Sequence, residues 1–222
     1  MRLGVISDIH GNLPALEAVR KALPPVDAVV CAGDVVGYNP WPAECLEYIR
    51  TQAIPTVQGN HDREVAADGG TYFNSMAKAG LEYAHQELTD DQLEWLESLP
   101  TERFLTDGRV HIVHGHPDDP DRYTYPQSFS PSMLAEGVEL LIVGHTHIQA
   151  VKEFEAGVVL NPGSVGQPRD GEPTAAFAVV ELDASGLNVT TRRVEYDIDQ
   201  VIEAVETAGL PAPIGTRLRS GS

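Results

Sequence analysis
Apolar positions recur along this chain in short runs that end abruptly in polar residues. Residues 3–7 are apolar and β-prone and are followed by Asp8-Ile9-His10-Gly11-Asn12. Then Leu13, Leu16, Val19, Ala22 and Leu23 take helical spacing over residues 13–23. A second run, residues 27–32, ends in Gly33-Asp34-Val35-Val36-Gly37 and precedes a helical pattern over residues 41–51. A third, residues 54–57, reads as a strand and stops at Gly59-Asn60-His61-Asp62. Three strand-and-loop units, two of them followed by helices, predict an α/β sandwich with polar loops along one sheet edge.

Residues 63–99 read as a helical, variable segment. Within it Thr89-Asp90-Asp91-Gln92 has the spacing of a capping box, for a helix that Pro100 stops. Residues 103–106 and Val110–Val113 flank Asp107-Gly108, a hairpin turn signal, and the second arm runs into His114-Gly115-His116-Pro117. Residues 131–136 predict a short helix capped by Ser130. The apolar run 140–143 ends in Gly144-His145-Thr146-His147, and strands over 148–154 and 158–160 lead to a loop rich in Pro and Gly, residues 161–169. Residues 174–182 and 187–196 predict a further hairpin, and residues 198–208 a helix capped by Asp197. The chain reads as a single domain, 1–222, with a loose tail over 211–222.

With 222 residues, 42% of them hydrophobic, the chain is long enough for one full core. No apolar run approaches a membrane span and no signal peptide is evident, so the expected compartment is the cytoplasm. Cys31 and Cys45 lack the spacing of a disulfide framework or a zinc knuckle and read as buried free thiols. The 33 acidic residues outnumber the 15 basic ones, for a formal net charge of −18. Such a surface repels phosphate backbones and disfavours long nucleic acid as a partner. A homo-oligomer is compatible with all of this. Only three basic residues are lysines, Lys21, Lys78 and Lys152. Acid-rich, lysine-poor surfaces suit a high-salt cytoplasm, and a halophilic source is the corresponding hypothesis.

Five predicted strands now end in Asp8-X-His10, Gly33-Asp34, Gly59-Asn60-His61-Asp62, His114-Gly115-His116 and Gly144-His145-X-His147. Each motif alone has an ordinary account, as a helix cap, a turn or a satisfied core histidine. Turn chemistry does not explain why six of eight histidines fall at strand ends; His85 and His111, inside other elements, read as structural. Mixed carboxylate, amide and imidazole donors suit manganese, iron, zinc or nickel, and their number is enough for two ions. A carboxylate such as Asp34 can bridge ions about 3.5–4 Å apart, an arrangement that serves in-line phosphoryl displacement.

In this order, these motifs resemble those of the calcineurin-like metallophosphoesterases, over almost the whole chain. Gly33-Asp34-Val35-Val36-Gly37-Tyr38 and the loop 161–169 are similar to the small prokaryotic branch of YfcE-like phosphodiesterases and relatives of diadenosine tetraphosphatase. The resemblance implies a four-layer αββα sandwich and two divalent ions, with manganese expected. One ion would be held by Asp8, His10 and His147, the other by Asn60, His114 and His145, and Asp34 would bridge. It implies a metal-bridging hydroxide as nucleophile, His61 facing the leaving group, and Asp62 orienting the His61 imidazole. Arg169 and His116 are candidate substrate-binding residues. For Arg169 a structural salt bridge is an equal reading, and His116 reads as a loop residue sooner than as a ligand.

The implied activity is hydrolysis of small phosphate esters, diesters or nucleotides ahead of monoesters. The competing readings are a protein phosphatase and a non-catalytic scaffold of the retromer type. The halophilic hypothesis has its own check: the denaturation midpoint should rise in molar potassium chloride, and no gain would remove it.

Overall fold
Residues 3–6, 140–142 and 175–180 are apolar without interruption because both faces of these strands are covered. In the computed structural model, which describes residues 1–70, 73–183 and 186–222, one four-stranded sheet has the order β2-β1-β8-β9. Its strands are β1 (Arg2–Ile6), β2 (Ala28–Cys31), β8 (Ala175–Leu182) and β9 (Leu187–Val194). A five-stranded sheet has the order β3-β4-β5-β7-β6, from β3 (Glu102–Leu105), β4 (Val110–Val113), β5 (Leu140–Ile142), β6 (Ala150–Phe154) and β7 (Gly157–Asn161).

Alternate residues of each strand serve different cores. Leu3, Val5, Val30, Ala178 and Val180 of the first sheet meet Val110, Ile112, Leu140, Ile142 and Leu160 of the second. On the outer face of the first sheet, Ile6, Cys31, Phe177 and Val179 pack under helices α1 (Leu13–Ala22) and α2 (Pro42–Thr51). The outer face of the second sheet, through Val113, Leu141, Val143 and Val159, is covered by Phe129 and Met133. The layer order is that of an αββα sandwich, with the fourth layer reduced to two 3₁₀ turns, Pro126–Ser128 and Pro131–Met133. The second of these replaces the short helix expected there. The Oγ of Ser130 pairs with the Ser132 Oγ at 2.8 Å instead of capping, and Leu134 is already extended.

Both β1–β2 and β4–β5 are parallel pairs, so the loops after β1, β2, β4 and β5 emerge at carboxyl edges. The run 54–57, expected as a strand, makes only an isolated parallel bridge, Thr56 to Cys31. Pro55 can accept from Cys31 N but has no N–H to return, and the chain turns at once into helix α3 (Asn60–Ala66). Helices α4 (Ser75–Glu87) and α5 (Asp90–Glu97) follow, the latter opened by the Thr89–Gln92 capping box. His85 donates to the Val65 carbonyl and His111 pairs with Glu102, both structural as expected. Both cysteines are buried and free. The turn between β8 and β9 includes residues outside the described set. Among the described residues, no helix is long and apolar enough to cross a membrane.

Residues 211–222 are not loose. Helix α6 (Ile198–Thr207) is followed by α7 (Pro213–Thr216) and a 3₁₀ turn, Arg217–Ser220, and Ile214 and Leu218 are buried with Val201, Val205 and Tyr38. Ile214→Ala should therefore lower unfolding free energy by about 2–5 kcal/mol, as for other buried large-to-small changes. A denaturant midpoint unmoved by the substitution would mean that the tail is not docked in solution.

Candidate metal centre
The backbone of the site is built from conformations that side chains ordinarily avoid. Asp8, His10, Asp34, His145 and His147 have φ of 54°, 50°, 55°, 66° and 59°, as does Tyr38 at 58°. Left-handed residues other than glycine cost about 1 kcal/mol or more each, so such a cluster marks places where side-chain direction outweighs backbone comfort. Cross-loop hydrogen bonds hold them there. Asp8 N donates to Gly33 O and His10 N to Asp34 O, and Val165 and Gly166 donate to the carbonyls of Ser7 and Asp8. Ser164 Oγ also donates to Asp8 O, which gives the 161–169 loop its role as a brace behind Asp8.

Asn60, His61 and Asp62 form the first turn of α3 and not a loop. Asp62 was expected to orient His61; instead its carboxylate accepts four backbone N–H groups, from Asp34, Val35, Val36 and Gly59, at 2.8–3.2 Å. This ties the loop after β2 to the start of α3. Gly59 is required at that junction, since a Cβ there would fall on Asp34 N and Oδ1. Asp34 Oδ1 in turn accepts from His61 N at 2.8 Å. Asp34 Oδ2 is left facing His10 Nε2 at 3.6 Å and His114 Nε2 at 3.3 Å.

The histidine tautomers follow from their carbonyl partners. His10 Nδ1 donates to Val36 O (3.2 Å) and His147 Nδ1 to Gln167 O (2.6 Å). His114 Nδ1 donates to Ala32 O (2.7 Å) and His145 Nε2 to Asp121 O (3.2 Å). Each ring's remaining nitrogen therefore presents a lone pair. His10 Nε2 and His147 Nε2 face one another at 3.1 Å, with Asp8 Oδ1 3.3 Å from the latter. His114 Nε2 faces His145 Nδ1 at 3.2 Å and Asn60 Oδ1 at 3.1 Å. With the rings neutral, acceptors converge on acceptors in buried surroundings, and only a proton or a cation among them relieves this. Two groups result, Asp8-His10-Asp34-His147 and Asp34-His114-His145, and Asp34 is common to both. Such donor sets fit divalent cations.

The charge states express the same deficit. Burial pushes Asp8 up to about 7, and burial with the Asp34 charge does the same to Asp62. Burial works against the charged form of His114, yet Asp34 outweighs it and raises the ring to about 10, a proton standing where a cation fits. Burial lowers His145 to about 3 and His61 to about 4.

Above this floor lies a cleft of about 530 Å³, whose walls include Tyr38, His61, Phe73, Tyr123, Arg169 and Arg217. The His61 ring is packed among His10, Tyr38 and Phe73 and its Nδ1 has no hydrogen-bond partner. Arg169 donates to Gln167 and to the Tyr38 hydroxyl and, among the described residues, has no carboxylate partner, against the salt-bridge reading. His116 lies outside the cleft wall, in a turn where it accepts from Asp118 N and Arg122. Tyr38 and Tyr123 line the cleft, whereas Trp41 is partly buried against the core and lines a separate surface groove. The orienting carbonyls of Ala32, Val36, Asp121 and Gln167 have no signature in sequence, because any residue supplies one. Arg217 was hidden by the tail expectation, although Ile214 and Leu218, four apart, carried a helical signal.

A shared carboxylate between two acceptor clusters at the carboxyl edges of two packed sheets is a site built for divalent cations, and the relatives of this chain make it that of a hydrolase of phosphoesters. Residues 1–185 match the family model described as the calcineurin-like phosphoesterase superfamily domain, and the chain belongs to that superfamily. An uncharacterised protein of Methanocaldococcus jannaschii is 34% identical over 99% of this chain and 98% of its own length. Phosphodiesterase YfcE of Escherichia coli is 29% identical, covering 82% of this chain and 89% of its own. The crystal structure of a metallophosphoesterase from Sphaerobacter thermophilus superposes with a TM-score of 0.81 at 36% identity, covering 100% of both chains.

The Asp62 geometry makes a distinct prediction. Asp62→Ala strands four buried amides, at about 1–3 kcal/mol for each that finds no water, and should lower both the denaturant midpoint and metal content. A variant with wild-type stability and metal content that loses only turnover would restore the role of orienting His61.

Proposed function
We propose that this protein hydrolyses small phosphate esters, phosphodiesters or nucleotides ahead of monoesters, with two divalent ions, manganese foremost and iron, zinc or nickel as alternatives. The observation that carries this is the sharing of Asp34 Oδ2 between two acceptor-only clusters on the floor of a cleft. Asp8, His10 and His147 would hold one ion and Asn60, His114 and His145 the other, with Asp34 between them. When bound, the ions supply Lewis acidity, which acidifies water and offsets charge on the phosphoryl oxygens.

The remaining steps fall to the chain itself. Arg169, which has no carboxylate partner among the described residues, can take a phosphoryl oxygen in its planar fork while the Tyr38 hydroxyl holds the guanidinium in place. The His61 ring is part of the cleft wall, with its unpartnered Nδ1 turned inward against Gly37. With its pKa lowered to about 4 by burial, the ring is neutral near pH 7. It then acts as a hydrogen-bond donor to the departing oxygen, not as an imidazolium acid. The name of the E. coli relative favours diesters, and the net charge of −18 keeps the substrate small.

Chelator-stripped protein should be inert toward bis-p-nitrophenyl phosphate and regain turnover when manganese returns. Because ions bind the native state, stripping should also lower stability, by about 3–4 kcal/mol if they are present at 100–1,000 times their dissociation constants. Silence with every divalent ion tried, together with stability indifferent to chelation, would identify a scaffold instead.

Roles within the site separate by metal analysis. His61→Ala should retain both ions and lose turnover about 10²–10⁴-fold, whereas Asp34→Ala should lose metal. Equal metal loss in the two variants would overturn this division.

A further inference from the structure
The superfamily match ends at residue 185, yet the cleft wall includes a residue from the far C-terminus, Arg217. Three contacts bring it there. Ile214 and Leu218 bury their side chains beside α6 and the Tyr38 ring. Arg219 pairs with Asp199 at the start of α6. The third contact is made by main chain: Gly171 N donates to Gly221 O at 2.9 Å, two residues beyond Arg169. Gly221 adopts a left-handed φ of 59°, and a Cβ there would sit 2.6 Å from Glu172 N, so the tail lies directly on the loop that carries Arg169.

The charges in this cleft are not balanced. Its acidic residues are already engaged: Asp121 takes the Arg63 guanidinium at 2.8 and 3.0 Å, and Glu64 lies 3.8 Å from the same arginine. Neither Arg169 nor Arg217 is paired with an Asp or Glu side chain among the described residues. Arg217 Nε donates to an oxygen of Ser222, the last residue, and the Arg217 side chain is part of the cleft wall. Burial, and next the charge of Arg169, lower the pKa of Arg217, so the two guanidinium groups feel one another. Two half-buried, mutually repelling cations in a chain of net charge −18 are stabilised by an anion lodged with both. A cleft of about 530 Å³ is far larger than one phosphoryl group needs and lies within the range of pockets for drug-sized ligands, roughly 300–1,000 Å³.

We propose that the C-terminal turn is a specificity element, in which Arg217 joins Arg169 to hold a second phosphoryl group of the substrate, apart from the one presented to the Asp34 clusters. The substrate class is thereby narrowed to phosphate esters that carry a further phosphoryl group. This rests on the phosphoesterase reading, and Arg217 acts by selection, not by touching the reacting atoms.

The test is calorimetric titration of the manganese-loaded protein with adenosine 3′,5′-bisphosphate and with adenosine 5′-monophosphate. The wild type should bind the bisphosphate about ten-fold or more tightly, the scale of one charge-assisted hydrogen-bond pair. Arg217→Gln should reduce that preference to about two-fold or less, and Arg192→Gln, an arginine outside the cleft wall, should leave it intact. If Arg217→Gln does not fold, Arg217→Met keeps the packing of the stem and carries the same expectation. A wild type without preference, or an Arg217 variant that retains it, overturns the proposal. Hydrolysis of bis-p-nitrophenyl phosphate by the wild type reports on the phosphoesterase reading separately. A protein that shows the Arg217-dependent preference without turnover loses that reading alone; one that turns over the ester without the preference loses only the role of Arg217.

Discussion
Asp34 gives one carboxylate oxygen to the amide of His61 and turns the other toward both histidine pairs, and this division is set by Asp62, which holds the Asp34 amide. Everything in the site is arranged around that second oxygen. The loop after β1 contributes His10 to one side of it and the loop after β4 contributes His114 to the other. A carboxylate buried between imidazole lone pairs is tolerable only when positive charge is supplied, by protons or by metal ions. The two sheets therefore have to meet with their carboxyl edges in register, because a shift of either would separate the acceptors that a cation joins.

Charge is partitioned across the molecule. The chain is strongly acidic, yet in the cleft Arg63 takes the acidic side chains, and Arg169 and Arg217 have no Asp or Glu partner among the described residues. A small anion that enters meets local attraction despite the repulsive field outside. A long polyanion meets that field along its whole length. The same distribution explains how a chain with more than twice as many acidic as basic residues can still serve phosphate chemistry.

The strands that are covered on both faces were legible, since Leu3 and Val5 belong to one core and Ile6 and Cys31 to another, which leaves no polar position within the strands. So were the histidines and aspartates that gather in the two clusters, because such residues at strand ends are chemically conspicuous. Residues 54–57 have the composition of a strand, but Pro55 lacks the N–H that pairing needs, and tertiary context decided. The work of Asp62 was not legible, because its partners are amides of Asp34, Val35 and Val36, whose side chains are irrelevant to the bond. The tail was misjudged for a related reason. Ile214 and Leu218 are few, and the surface they bury against, Tyr38 and α6, is assembled from distant parts of the chain.

The left-handed residues at 8, 10, 34, 145 and 147 have a consequence for the lineage of this fold. Each keeps a long or charged side chain where glycine or asparagine would rest more comfortably, so only continued selection for the donor atoms resists their replacement. A descendant that abandoned the chemistry would be free to relax there while its sheets stayed intact. At these five positions backbone comfort and side-chain chemistry pull in opposite directions, so what occupies them follows the donor atoms and not the fold.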